Sequence, residues 1–383
     1  MSVSEHLHTL SPTYGFDDVS ILPGLSTLDP KDVDMTTSIG DISLRIPILA
    51  SAMDSAVDPS FAGRVCAQGA LAVLNLEGLQ TKYVDPSEAL AEISSASTSK
   101  VVPTIQRLYK APIQDHLVAQ RINEMKESGA IAAVSVTPAA ASRLGPLAVD
   151  AGAEIIFVQA TVISPQHRGE VSLDLTRFVK DMDLPVVLGN CVTGDVALAL
   201  METGAAGLLV GVGPGAACTT RAVTGVGVGQ VTATMSCALA RDAYQKETGR
   251  RVAIITDGGM RKGGEIAKAI ASGADGVMLG SVFSGLRETP GEGFHWGMAT
   301  QDAQLPRGTR VTVKSMVDLE TLFFGPSHKD DGTLNLIGGL SNSMGMVGAA
   351  TISQMQRAQV VHCPSLKDEG KHYQFREGIG QGA

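Results

Sequence analysis

The feature that most constrains this chain is a unit that recurs along it: an amphipathic segment, a Gly-Ala step, then a short apolar run. It stands at Gly129-Ala130, Gly152-Ala153, Gly204-Ala205 and Gly273-Ala274. Glycine in that place ends a helix, because it takes the left-handed conformation that other residues resist. The segment 194–202 carries Val196 and Leu200 four apart, and 263–272 carries Ile266 and Ile270. That spacing predicts helices with one apolar face. The runs after the glycines are rich in Val, Ile and Leu on both faces, as strands buried within a parallel sheet are.

Nine such runs occur: 47–53, 71–76, 101–106, 131–137, 155–160, 185–191, 207–213, 252–257 and 276–281. A closed barrel of alternating strands and helices takes eight. Run 101–106 is set aside, because Pro103 removes a ladder donor and the run lies in the least regular stretch, 80–128. The expected fold is therefore α/β, a (β/α)8 TIM barrel forming one domain over 1–383. A doubly wound open sheet is the alternative. No GxGxxG opens a helix after an early strand, so a dinucleotide site of that kind is not indicated.

Composition narrows the function. The chain is 44% apolar and 18% charged, which suits a large core and not disorder. A net charge of −9 gives no electrostatic reason to bind nucleic acid, and 4% aromatic residues offer few platforms for stacking single-stranded bases. A small phosphate remains within reach, since backbone amides bind it without net charge. The cysteines are Cys66, Cys191, Cys218, Cys237 and Cys363, with no CxxC pair, so neither a zinc site nor a disulfide framework is expected. The histidines do not cluster at ligand spacing. Residues 1–10 have neither a basic start nor an apolar stretch, so no signal peptide is expected and the expected location is cytoplasmic. The uncharged stretches 222–240 and 333–356 are broken by polar residues and by Gly225, Gly227 and Gly229, so no membrane span is expected.

Barrel enzymes carry their chemistry at the C-terminal ends of the strands. After run 207–213 comes PGAACTTR (214–221), which joins glycines, Cys218 and the hydroxyl of Thr220. A cysteine in a glycine-rich loop ahead of a helix suits a nucleophile, although a buried small hydrophobe in a turn has the same sequence. Asp257-Gly258-Gly259 follows the next strand, with an acid for a ribose diol and glycine amides for phosphate. Gly280-Ser281 ends the last strand, where barrels often hold phosphate. Simple turn geometry is the plain alternative for these glycines. Ser51, Met53, Asp54 and Asn190 end other strands and would face the same pocket, with a helix N-cap for Asp54 and a satisfied polar turn for Asn190 as alternatives. The segment 294–310, FHWGMATQDAQLPRGTR, is loop-like and reads as a flap, extending to about 325, or as a solvated surface loop.

These residues resemble the IMP dehydrogenase/GMP reductase family over nearly the whole chain. The resemblance rests on YGFDDV (14–19), PILASAMD (47–54), VGVGPGAACTTR (210–221), DGGMRKGGEIAKA (257–269) and GADGVMLGS (273–281). It is closest to the IMP dehydrogenase-related branch without the regulatory CBS insert, because 80–128 is too short for a CBS pair. It implies a Cys218 thiolate that attacks C2 of IMP, hydride loss to NAD+, and hydrolysis of the covalent intermediate to XMP. Thr220 would help activate water and flap residue Arg307 would act as base. Ser51, Met53, Met298, Ala299 and Gly215 would line the substrate site; Asp257 would hold the ribose, and Gly258, Gly259, Gly280 and Ser281 the phosphate. Gln159, Ala160, Asn190 and Gly211 would form the cofactor site, and the carbonyls of Gly213, Gly215 and Cys218 a K+ site. A homotetramer is implied too. The chain departs from the family in three places: Ala216 replaces a phosphate-binding serine, Gln159-Ala160-Thr161 replaces a cofactor-site aspartate, and Arg307-Gly308 lacks the family's flap tyrosine. NADPH-dependent GMP reductase and a weakly active purine-nucleotide-binding regulator are the alternative readings.

Overall fold

The computed structural model describes residues 11–169, 172–313, 315–364 and 370–379. Its centre is a closed parallel barrel of eight strands. They are β1 (Ile48–Ala50), β2 (Leu71–Asn75), β3 (Ala133–Val136), β4 (Ile155–Gln159), β5 (Val186–Cys191), β6 (Gly207–Val210), β7 (Ala253–Asp257) and β8 (Gly276–Leu279). β8 closes on β1, with Val277 opposite Ile48 and Leu279 opposite Ala50. The helices α1 (Pro59–Ala67), α2 (Asp115–Glu127), α3 (Pro138–Asp150), α4 (Leu175–Asp181), α5 (Gly194–Glu202), α6 (Gln230–Thr248), α7 (Gly263–Ala271) and α8 (Leu336–Val347) follow the strands in turn. The four Gly-Ala steps stop α2, α3, α5 and α7, with φ of 80°, 87°, 97° and 105° at Gly129, Gly152, Gly204 and Gly273.

Alternation along each strand sorts the side chains into two layers. Leu49, Leu71, Val73, Phe157, Leu209 and Ile255 fill the barrel interior. Ile48, Leu74, Ile156, Leu188, Ile254 and Val277 point outward and join the helix layer. The N-terminal end of the barrel is closed by an antiparallel hairpin of Thr37–Ile39 and Ile42–Leu44, whose Ile39 and Leu44 join the interior cluster.

Run 101–106 lies in a helix, Val101–Tyr109, and not in a strand. Val101, Ile105 and Leu108 bury one face of it. Pro103 sits in the first turn, where its missing N–H removes no intrahelical bond. Together with Ser87–Ser95 and α2, this helix occupies the chain between β2 and β3.

The segment after β8 forms a short helix, Ser281–Ser284, and then returns over the barrel mouth. There Phe294–His295 pairs antiparallel with Val311–Thr312, and a 3₁₀ turn covers Met298–Gln301. Near the chain ends, Val19–Ile21 pairs antiparallel with Val360–His362. Stretch 222–240 runs into α6, and 333–356 holds α8. No helix among the described residues is long and apolar enough to cross a membrane. The signal-peptide reading of residues 1–10 falls outside the described residues.

Candidate active site

The C-terminal ends of the strands surround a cavity of about 570 Å³. Cys218, Arg307, Ser51, Met53, Gly211, Gly215, Asp257, Gly258, Gly259, Gly280, Ser281, Met298, Ala299, Gln159, Ala160 and Asn190 all line it. Thr220 stands just behind the lining, with Cys218 Sγ donating to its Oγ1 at 3.1 Å.

The cysteine loop is held on both sides. Cys218 N–H donates to Gly215 O at 3.0 Å. From the flap, Gly308 forms an antiparallel bridge with Cys218, Thr219 N–H donates to Arg307 O at 3.0 Å, and Thr309 N–H donates to Ala217 O at 3.1 Å. The backbone before and after Arg307 is thereby tied to the cysteine loop. Gly308 suits this approach, since a Cβ there would lie 2.7 Å from Thr300 Oγ1 and 3.0 Å from Ala217 O. Arg307 Nη2 lies 3.5 Å from Asp302 Oδ2, and its Nε is buried without a partner among the described residues. Backbone amides of Leu305 and Gln304 hold Asp302 below the usual carboxylate range. Arg310 turns away from the cavity, donates to Ser94 O at 2.7 Å and stacks on Phe294 at 4.2 Å.

Across the mouth, Asp257 Oδ2 accepts from Asn190 Nδ2 at 2.7 Å and from Gln159 Nε2 at 3.1 Å. Asp257 opens onto the cavity, yet its carboxyl is enclosed by protein, and that burial raises its pKa to about 6. The two amides favour the carboxylate and so act in the opposite sense. Two strand ends expected to meet a cofactor thus also orient the acid expected to meet a ribose. A register shift of β5 against β6 between Gly189 and Cys191 accompanies the inward turn of Asn190. Behind Gly211, buried Gln230 donates through Nε2 to Val210 O and Asp257 O, both at 2.9 Å. A Cβ at Gly211 would meet that amide at 2.4 Å.

Asp54 does not line the cavity, and the helix end it caps is that of the 3₁₀ turn Leu79–Thr81, not that of α1. It is buried beneath the mouth, where it accepts from Leu79 N at 3.0 Å and from the Tyr109 hydroxyl. Burial raises Asp54 to about 6 and pushes the Tyr109 hydroxyl well up. The cap of α1 is Asp58, which accepts from Phe61 N at 2.7 Å. Trp296, 1% exposed, extends the Asp54 network by donating to Tyr109 Oη at 3.0 Å.

Sequence reasoning missed several lining residues, among them Thr137, Arg261, His295, Thr300 and Gln301. His295 and Gln230 are single polar residues in segments with no motif around them. Among the described residues no group of three or more His, Cys, Asp or Glu is placed to hold a metal ion.

Fold and cavity define a barrel protein with a cysteine loop at the catalytic end, roofed by a flap. The IMP dehydrogenase/GMP reductase domain model matches residues 13–369. An uncharacterized oxidoreductase from Mycolicibacterium smegmatis is 36% identical over 361 residues, 91% of this chain and 96% of that protein. The inosine-5′-monophosphate dehydrogenase of Borreliella burgdorferi is 30% identical, over 94% of this chain and 96% of its own. The crystal structure of an IMP dehydrogenase/GMP reductase-like protein from Corynebacterium glutamicum superposes with a TM-score of 0.88 at 32% identity, covering 92% of this chain and 95% of that one. The chain belongs to the IMP dehydrogenase/GMP reductase family.

Proposed function

We propose that this protein is an IMP dehydrogenase that oxidises IMP to XMP with NAD+ through a covalent intermediate on Cys218. The observation that carries this is the joining of two half-sites: a thiol paired with Thr220 at 3.1 Å, and a flap bridged to that same cysteine with Arg307 lining the cavity. A mechanism that ends in hydrolysis needs both halves.

The phosphate is assigned to the loops of Gly258-Gly259 and Gly280-Ser281, the ribose diol to Asp257, and the purine to Ser51, Met53, Met298 and Ala299. Gly258 and Gly259 have φ of 80° and 83°, a conformation that opens the loop backbone for close approach. The Cys218 thiol loses its proton to solvent, and Sγ bonds to C2 of the purine. After the C2 hydrogen has left as hydride, the C2–S bond remains. Water then adds to C2, the C–S bond breaks and the thiol is restored, so one hard step becomes two. We assign Thr220 to holding the thiol and Arg307 to the hydrolytic water. The half-buried Arg307 side chain lines the cavity, where its guanidinium can donate to a ligand.

NAD+, when bound, supplies the hydride acceptor. Gln159, Ala160, Thr161 and Asn190 offer uncharged amides, a methyl and a hydroxyl to the cavity, which suits hydrogen bonding to the carboxamide of a nicotinamide. K+ would meet the carbonyls of Gly213, Gly215 and Cys218, of which Gly215 O already accepts from Cys218 N–H and keeps one lone pair. The family likeness extends the proposal to a cytoplasmic homotetramer.

GMP reductase is the second reading. It is favoured by the flap sequence Arg307-Gly308, which lacks a tyrosine beside the arginine, because a reductase does not hydrolyse its intermediate. Acid quenching of the protein during turnover with IMP and NAD+, followed by intact-mass analysis, tests the proposal. A nucleotide adduct on the Cys218 peptide that disappears in Cys218→Ala supports it; turnover without an adduct contradicts it.

A further inference from the structure

His295 is 2% exposed, yet it lines the cavity at the start of the flap. Its ring lies against Gly280: a Cβ on that glycine would be 2.9 Å from His295 Cε1, 3.4 Å from Nε2 and 3.1 Å from Met53 Sδ. The space a side chain would fill is thus shared by the imidazole and the loop after β8. On the other side of the ring, Nδ1 is 2.9 Å from Ser284 Oγ and 3.5 Å from Ser55 Oγ, and the two hydroxyls are 3.0 Å apart.

This hydroxyl pair can serve either charge state of the ring. Trp296 N–H donates to Ser55 Oγ at 3.5 Å. If Ser55 then donates to Ser284 and Ser284 to Nδ1, the ring proton of the neutral form sits on Nε2, the edge beside Gly280. If Nδ1 gains a proton, it donates to Ser284 Oγ, and the Ser284 hydroxyl turns to Gly280 O at 3.4 Å. Ser55 likewise has Trp296 O at 3.4 Å. Both states keep their hydrogen bonds, and Nε2–H is a donor in both.

The charged groups on the surrounding elements are Asp54 on the loop after β1, Arg261 after β7, and Arg307 and Arg310 on the flap. Burial alone lowers the ring to about 4, so the unliganded ring is neutral near pH 7. A phosphate dianion beside it reverses that balance, because an opposite charge in an enclosed site favours the protonated ring.

We propose that His295 is a ligand of the substrate's 5′-phosphate and that it takes up one proton from solvent as the dianion binds. This rests on the assignment of the phosphate to the Gly280-Ser281 loop. It adds a side chain whose charge follows occupancy to a subsite otherwise built from glycine and serine.

The test is calorimetric titration of the protein with IMP, without cofactor, at about pH 6.5 in buffers of different ionisation enthalpy. The expected result is proton uptake by the wild-type protein that is lost in His295→Gln, with IMP bound about tenfold more weakly. Inosine, which lacks the phosphate, should bind both proteins alike. An unchanged proton count in His295→Gln overturns the proposal whatever happens to affinity. Wild-type protein gives a second measurement should the variant not fold: IMP affinity, corrected for the phosphate's own ionisation, rises from about pH 8 to about pH 6 while inosine affinity stays flat. A flat IMP profile overturns the proposal and leaves the proposed function standing; failure of the wild-type protein to bind IMP at all overturns both.

Discussion

At the N-terminal end of the barrel, Ile39 and Leu44 of the hairpin close over Leu71, Ile155 and Ala253, all buried. At the other end the barrel strands lead into Ser51, Gln159, Asn190 and Asp257 around an open cavity. The lower end holds apolar side chains that need no partner. The upper end holds an acid whose pKa burial raises to about 6, a thiol paired with a hydroxyl, and an arginine that lines the cavity. One end therefore supplies stability, and the other holds groups whose requirements the protein leaves for a ligand to complete.

Substitutions at the two ends should separate these roles. The largest effect is expected at the upper end. Cys218→Ala should lower kcat by at least about 10⁴-fold while leaving melting temperature and IMP binding nearly unchanged. Retained turnover in that variant would remove the covalent step. In the barrel interior below the cavity, Phe157→Ala should cost about 3–5 kcal/mol of stability in denaturant unfolding, with Kd for IMP unchanged in the folded protein. A large loss of affinity at unchanged stability would break the division.

Arg307→Ala should slow hydrolysis by about 10²-fold and leave the first hydride transfer almost intact. In rapid mixing this appears as a full burst of NADH followed by a slow steady state. Equal loss in both phases would remove Arg307 from the hydrolytic half.

The smallest effect concerns Asp257. Its pKa of about 6 lies above the ordinary aspartate value of 3.8, so the folded state binds its proton more tightly than the unfolded state. This carboxyl's contribution to stability is present below about pH 4 and is lost as pH rises to about 6. Above that the charged carboxylate is a net cost. Asp257→Asn should therefore raise stability by about 1–2 kcal/mol at pH 7, after allowance for exposure to the cavity, and by nothing at pH 4. The same change should raise KM for IMP. Equal stabilisation at both pH values would contradict the burial account.

The lower end was legible because it obeys periodicity. The Gly-Ala stops, the both-faced apolar runs and the strand count follow from local rules, and the left-handed φ at Gly129, Gly152, Gly204 and Gly273 bears them out. Run 101–106 is rightly set aside from the barrel, but its helix was not legible, since a short apolar run fits either period and Val101, Ile105 and Leu108 sort onto one face only within the longer helix. The upper end was legible where glycines cluster with a reactive side chain, as around Cys218, Asp257 and Gly280. It was not legible where one polar residue meets others from distant segments. Nothing in the sequence puts His295 against Ser284 and Ser55, gives Asp54 to Tyr109 and Leu79, or sets Gln230 behind Gly211. These contacts arise only when the barrel closes.

The most direct measurement is absorbance at the nicotinamide band with purified protein, IMP plus NAD+ in one cuvette and GMP plus NADPH in another. The account predicts NADH formation in the first and no change in the second. NADPH consumption with GMP, and no NADH from IMP, would contradict it.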